Sequence, residues 1–172
     1  KSMGVDFLIA NAKKLLNIDE NIYLIMAGAT GDYSLQVKEL SVFNDRIKYY
    51  ENISFEEKIN FYHACDVYLA PTMQKHACMG VSIKEAMACG KPIVASNSGG
   101  IPEAITDGIN GFIISTNDGK LDSYDFIKKS ELLYNDKLLR NKMSEEGLKL
   151  FSEKFTNEIC LNNYLSIINE LS

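Results

Sequence analysis

The sequence predicts an α/β fold in which a parallel sheet carries helices on both faces. Three observations support this. Short continuous apolar runs, such as residues 22–27 (IYLIMA) and 93–96 (IVAS), have the pattern of strands buried on both faces. Helical segments separate these runs, as the crossovers between parallel strands require. Glycine follows the 22–27 run at Gly28 and precedes a helical segment at Gly80, the places where a strand-to-helix turn needs it. No fixed-period repeat, low-complexity stretch or linker divides the chain. Residues 1–172 are therefore expected to form one Rossmann-like domain that ends in helices at about 121–172.

The elements follow in order. Val5, Leu8, Ile9, Ala12, Leu15 and Leu16 keep a helical period, and Asp6 suits its first turn. The strand at 22–27 ends at Gly28, a helix covers 33–43, and a strand covers 46–50. Ser54 with Glu57 three residues later is a capping-box signature for a helix reaching about Ala64. A strand at 67–70, a helix at 81–89 and a strand at 93–96 come next. A short helix at 101–105 has Pro102 in its first turn and Glu103 beside it, where the helix dipole favours a carboxylate. Asp107-Gly108 and Asn110-Gly111 are turn dipeptides, and 112–114 is expected to be the last strand. Helices at 123–134, 136–151 and 156–171 complete the chain, the last with Cys160, Tyr164, Ile168 and Leu171 on one face.

Composition narrows the functional class. The net charge is −5 and the basic residues are dispersed, which argues against a nucleic-acid footprint. No apolar run approaches the roughly 20 residues that span a bilayer. No signal-peptide pattern is visible, although the first residue is not Met. Cys65, Cys78, Cys89 and Cys160 are far apart with no C-x-x-C pair, and only His63 and His76 could assist them, so no metal site is expected. Cys65, Cys89 and Cys160 lie in apolar helical contexts and read as small buried hydrophobes in a reducing compartment. Cys78 lies in a loop without an evident activating partner, and His63 reads as structural.

The segment from Ala70 to Ile114 holds the candidate chemistry. A strand ends at Pro71, a polar loop follows, and a helix opens at Gly80 with one carboxylate, Glu85, among small and apolar residues. A helix mouth presents backbone N–H groups and a positive dipole end to a phosphate. The carboxylate one turn further in can reach hydroxyl groups beside that phosphate, and a sugar nucleotide has both. The plainer alternatives are a simple helix start at Gly80 and a solvated Glu85. The turn Gly28-Ala29-Thr30-Gly31 needs glycine for its geometry and has phosphate contact as a second reading.

Residues 77–111 resemble the C-terminal half of retaining glycosyltransferases of the GT-B fold, family 4 (group 1). Gly80, Glu85-Ala86-Met87-Ala88, Gly90, Pro92, Ser96, Gly99-Gly100, Glu103, Gly108 and Gly111 match that family's pattern in register. Residues 4–9, 24–28 and 62–72 resemble its upstream elements, so the likeness covers nearly the whole chain. The resemblance implies that Glu85 accepts hydrogen bonds from ribose hydroxyls. It also implies that backbone around Gly80, Val81 and Ser82, next to Met79, holds the diphosphate or sugar. The loop 50–53, with Asn52 and Ile53, would line the base, and Lys1 would face the diphosphate. The implied function is transfer of a sugar from a nucleotide diphosphate sugar to a glycan or lipid-linked glycan, with retention and without a cofactor or metal. The acceptor domain and its catalytic residues lie outside this sequence, so the isolated domain is expected to bind nucleotide weakly and transfer little. A cytoplasmic location is implied, with peripheral contact at the inner face of a membrane through the missing half.

Two departures from the pattern stand out. Ala77 replaces the first carboxylate of an E-x7-E pair, which usually contacts the transferred sugar; His76 and Gln74 are the nearby polar substitutes. The family's first strand, with its Arg and Lys, would lie before residue 1. In a 3-2-1-4-5-6 order that strand is central, between the strands at 22–27 and 67–70. The sheet is therefore expected to be completed by residues upstream of Lys1 or by another segment. Ala77 also supports an alternative, a non-catalytic nucleotide- or partner-binding module. A GT-B sugar-nucleotide epimerase is a third reading.

Overall fold

In the computed structural model, which describes residues 4–73 and 80–170, strands and helices alternate through the first two thirds of the chain. The elements are α1 (Val5–Leu16), β1 (Leu24–Gly28), α2 (Ser34–Phe43), β2 (Ile47–Glu51), α3 (Phe55–Ala64), β3 (Tyr68–Ala70), α4 (Val81–Ala88), β4 (Ile93–Ser96), α5 (Ile101–Ala104) and β5 (Gly111–Ile114). A short hairpin, β6 (Thr116–Asn117) and β7 (Lys120–Leu121), leads to α6 (Ser123–Asn135), α7 (Lys137–Lys154) and α8 (Asn157–Glu170). The expected α/β class is correct. The Ser54–Glu57 capping box forms in both directions at the start of α3.

The core lies on both sides of the central strand. All four residues of β4 are buried, and their side chains alternate between two apolar clusters. Val94 joins Leu15, Leu16, Leu24, Ile114, Phe126 and Leu133 on the α1 and α6 side. Ile93 and Ala95 join Tyr62, Ile83, Met87, Ile101 and Ile105 on the α3, α4 and α5 side. Each fully buried Leu, Ile or Phe contributes about 1.5–3 kcal/mol relative to exposure. Gly111 is required by close packing, because a Cβ there would stand 2.5 Å from the Ile93 carbonyl oxygen across the β4–β5 ladder.

The sheet comes in two parallel pieces. β1 pairs with β2, and β3 pairs with β4, which pairs with β5. Among the described residues no segment lies between β1 and β3. The same gap explains a correction. β1 was expected to be buried on both faces, but Leu24 and Met26 are buried while Ile25 is 40% exposed.

Three further expectations change. The strand at 112–114 is not the last, because Asp118 (φ +50°) and Gly119 (φ +72°) turn the chain into the β6–β7 hairpin. An Asp-Gly pair favours this left-handed turn. α8 has no buried residue, so its apolar face meets no core. Cys160 is accordingly exposed, while Cys65 and Cys89 are half-buried and all three are free thiols.

The strands of each piece run parallel, so the loops that follow β1 and β2 share one edge. Asn52 joins those loops. Its backbone N–H donates to the Gly28 carbonyl at 2.7 Å. Its side-chain Oδ1 accepts from the Thr30 N–H at 3.0 Å, and Nδ2 donates to Thr30 Oγ1 at 2.8 Å. The bonds need Asn52 in the left-handed region, at φ +54°, which Asn tolerates better than most residues.

Two measurements check this account. In thermal denaturation, Asn52→Ala is expected to cost about 1–2 kcal/mol through lost hydrogen bonds and backbone strain. Asn52→Gly should recover the backbone part. Asp125 provides the second. Burial pushes its carboxyl up, but hydrogen bonds from the Ser115 backbone and hydroxyl and from Lys129 outweigh this and hold it below the usual carboxylate value. The stability it contributes is present above the unfolded carboxyl's pKa of about 4 and is lost as pH falls through the lowered folded value. Asp125→Asn is thus expected to destabilise by about 0.5–1 kcal/mol at neutral pH, allowing for solvent screening. The difference from the unmutated protein should disappear in acid.

Candidate functional site

The site grows from the start of α4. Gly80 caps the helix at φ +69°, and the first intrahelical bond runs from the Lys84 N–H to the Gly80 carbonyl at 3.3 Å. The N–H groups of Val81, Ser82 and Ile83 precede that first bond. No side-chain cap is made by Gly80, so among the described residues these amides are free for a ligand. A Cβ at position 80 would press on Ile83 at 3.3 Å, so glycine is favoured by both backbone and space.

Glu85 sits one turn into α4, with a quarter of its side chain exposed. Two residues of α3, one turn apart on the same face, hold its carboxylate. The Lys58 ammonium donates to Oε1 at 2.5 Å, and the Tyr62 hydroxyl donates to Oε2 at 2.8 Å. Burial pushes the Tyr62 hydroxyl well above its ordinary pKa, with Tyr68 and Glu85 adding to the effect, so Tyr62 remains a neutral donor. The Tyr62 and Tyr68 rings meet edge to face at 5.6 Å. A carboxylate has about four acceptor positions. Among the described residues two are taken, one on each oxygen, by Lys58 and Tyr62.

These groups open onto a single cavity of about 1560 Å³. Gly80 lines it from the cap of α4, Val81, Ser82 and Glu85 from α4 itself, Asn52 and Ile53 from the loop after β2, Gly28 from the end of β1 and Gly31 from the loop that follows. Six of the eight residues read from the sequence as donor contacts are thus brought to one place. The other two, Met79 and Lys1, lie outside the described residues, as do Gln74, His76, Ala77 and Cys78. The Asn52 side chain is committed to Thr30 and builds the cavity wall. Sequence reading did not single out Lys58 and Tyr62. Their i,i+4 spacing on a capped helix was visible, but nothing local shows that α3 faces Glu85.

His63, Glu103 and Cys89 do not line the cavity, whereas Cys65 does. His63 is exposed at the end of α3, where its carbonyl accepts from Lys91 Nζ at 3.1 Å. Glu103 is exposed in the first turn of α5, consistent with a dipole role. Burial raises the Cys65 and Cys89 thiols, which disfavours thiolate chemistry there. Among the described residues no group of three or more His, Cys, Asp or Glu is placed to hold a metal ion. No described helix is long and apolar enough to cross a membrane.

Comparison with known proteins shows the family and the fold. The chain is 34% identical over 173 residues to an uncharacterized glycosyltransferase of Methanocaldococcus jannaschii, covering 98% of this chain and 45% of that protein. It is 30% identical over 165 residues to the D-inositol 3-phosphate glycosyltransferase of Mycolicibacterium smegmatis, covering 92% of this chain and 36% of that one. The chain therefore spans less than half the length of these relatives. A glycosyltransferase from Rickettsia africae superposes with a TM-score of 0.84 at 25% identity, over 99% of this chain and 45% of the other. The Anabaena HepE structure in complex with UDP and glucose gives 0.79 at 21% identity, over 99% and 45%, a likeness of fold. The model of the family "Glycosyl transferases group 1" matches residues 1–150, and the chain belongs to that family.

Proposed function

We propose that this chain is the donor-binding half of a glycosyltransferase that moves a sugar from a nucleotide diphosphate sugar to an acceptor glycan or lipid-linked glycan. The observation that carries the reading is the pairing, among the described residues, of uncapped α4 amides with a carboxylate that keeps acceptor positions open in the same cavity. In this reading the amides of Val81 and Ser82 take the diphosphate. The free lone pairs of Glu85 accept the two ribose hydroxyls, and the loop bearing Asn52 and Ile53 lines the base. The chemistry asks the protein to position two substrates and to stabilise the departing diphosphate. The fixed α4 dipole supplies part of that stabilisation, and no bound metal is invoked. Retention, the acceptor and contact with a membrane surface follow the family resemblance and involve the rest of the protein. UDP in the structurally similar HepE complexes supports the donor class.

Ala77 favours one second reading, a nucleotide-binding module without turnover, because a methyl group cannot accept the hydrogen bonds that a carboxylate makes to the sugar.

Calorimetry of the intact protein with UDP, GDP and ADP, and with their sugar conjugates, tests both. Glu85→Ala is expected to weaken nucleoside diphosphate binding by about 1–3 kcal/mol, roughly 5- to 150-fold. Unchanged affinity would remove Glu85 from the site. Tyr62→Phe should weaken binding less, since Lys58 still holds one carboxylate oxygen. Binding without sugar release or transfer would favour the module.

A further inference from the structure

The start of α4 brings two negative groups close together in the donor reading. Val81, whose N–H takes an anion in that reading, and Glu85 are four residues apart on one helix, about 6 Å along its axis. A diphosphate seated on the amides therefore lies within the roughly 8 Å over which charges interact at physiological salt. The α4 dipole offers about half a positive charge at its N-terminus. An unpaired Glu85 carries a full negative charge, so the helix alone does not offset it.

The charges along the cavity wall single out Lys58. Among the described residues, the charged side chains that line the cavity are Asp32, Lys58, Asp66, Glu85 and Arg140. Arg140 is committed elsewhere, since its Nη1 donates to the carbonyls of Leu133 and Tyr134. The Tyr134 side chain is hydrogen-bonded to Asp19, in the turn that enters β1, so Arg140 stands at the edge where the strands begin. Asp66 precedes β3 and lies at that edge too. Asp32, in the loop after β1, and Glu85 lie towards the opposite edge, and among the described residues Lys58 is the cation lining the cavity there. Its ammonium is held from two sides. It donates to Glu85 Oε1 at 2.5 Å and lies 4.8 Å from the centre of the Phe55 ring. The two side chains of the pair remain 31% and 25% exposed. An ion pair this open contributes little to folding, so replacing Lys58 leaves the fold intact. Tyr62, the other partner of Glu85, is a neutral donor and cancels no charge.

We infer that Lys58 is the counter-ion of the donor site: paired with Glu85, it cancels the carboxylate's charge and lets a diphosphate settle on the α4 amides while Glu85 accepts from the ribose hydroxyls. The inference rests on the donor reading and adds a positioning residue to it, one that acts through Glu85 and not by gripping the phosphates. Without Lys58, the carboxylate that draws the ribose would repel the phosphates one turn away. With it, one helix start serves a neutral diol and an anion side by side.

Binding of the intact protein to uridine, guanosine and adenosine, followed by NMR titration, and to their 5′-diphosphates, followed by calorimetry, tests this. The readout is the ratio of diphosphate to nucleoside affinity, in which a change in ribose or base contact cancels. Lys58→Met is expected to lower that ratio about tenfold, because the unpaired carboxylate repels only the charged ligand. Adding Glu85→Gln to Lys58→Met should restore the ratio to within about threefold, since the charge to be balanced is gone. Lys58→Arg keeps the charge and should hold diphosphate affinity within about threefold of the unmutated protein. Raising the salt concentration should narrow the gap between Lys58→Met and the unmutated protein, as screening weakens the repulsion. A ratio unchanged by Lys58→Met would overturn the inference. So would a ratio that stays low in the double variant, because Lys58 would then bind the phosphates directly. A protein that binds none of the three diphosphates would remove the donor reading and the inference together. Diphosphate binding that is indifferent to Lys58 would remove the inference alone.

Discussion

Parallel strands can be joined only by crossovers, and that constraint organises the molecule. Each crossover buries a helix against the sheet and returns the chain to the same starting edge. The opposite edge collects the loops after the strands, and this is where an open α/β sheet binds ligands. Asn52, Gly28, Gly80 and Glu85 are distant in sequence yet meet around one cavity because the connectivity delivers them there. The chemistry of the site follows from this topology together with the local demands of a single helix start.

Much of this organisation was legible in the sequence. Continuous apolar runs and period-3.6 patterns placed nearly every longer element within one or two residues, because burial on both faces writes runs such as 93–96. Ser54 and Glu57 announced the start of α3 through a local hydrogen-bond pattern that depends on nothing distant. The Gly80–Glu85 arrangement was readable for the same reason, since five residues of one helix fix its geometry.

What stayed hidden depended on long-range partners. Lys58 and Tyr62 become part of the site only when α3 packs beside α4, and their sequence separation from Glu85 carries no sign of that. The exposure of Ile25 and Cys160 also ran against their apolar settings, because pattern reports what a residue could cover and not whether the cover is present. The β6–β7 hairpin was missed although Asp118-Gly119 signals it, as two-residue strands leave no periodicity to detect.

The grip of α3 on Glu85 has an energetic consequence. A free glutamate side chain sacrifices about 1.5–2 kcal/mol of rotamer freedom when it is immobilised. Here Lys58 and Tyr62 have already fixed it during folding. An arriving hydroxyl meets an acceptor that is preorganised, and more of each new hydrogen bond's strength remains as affinity.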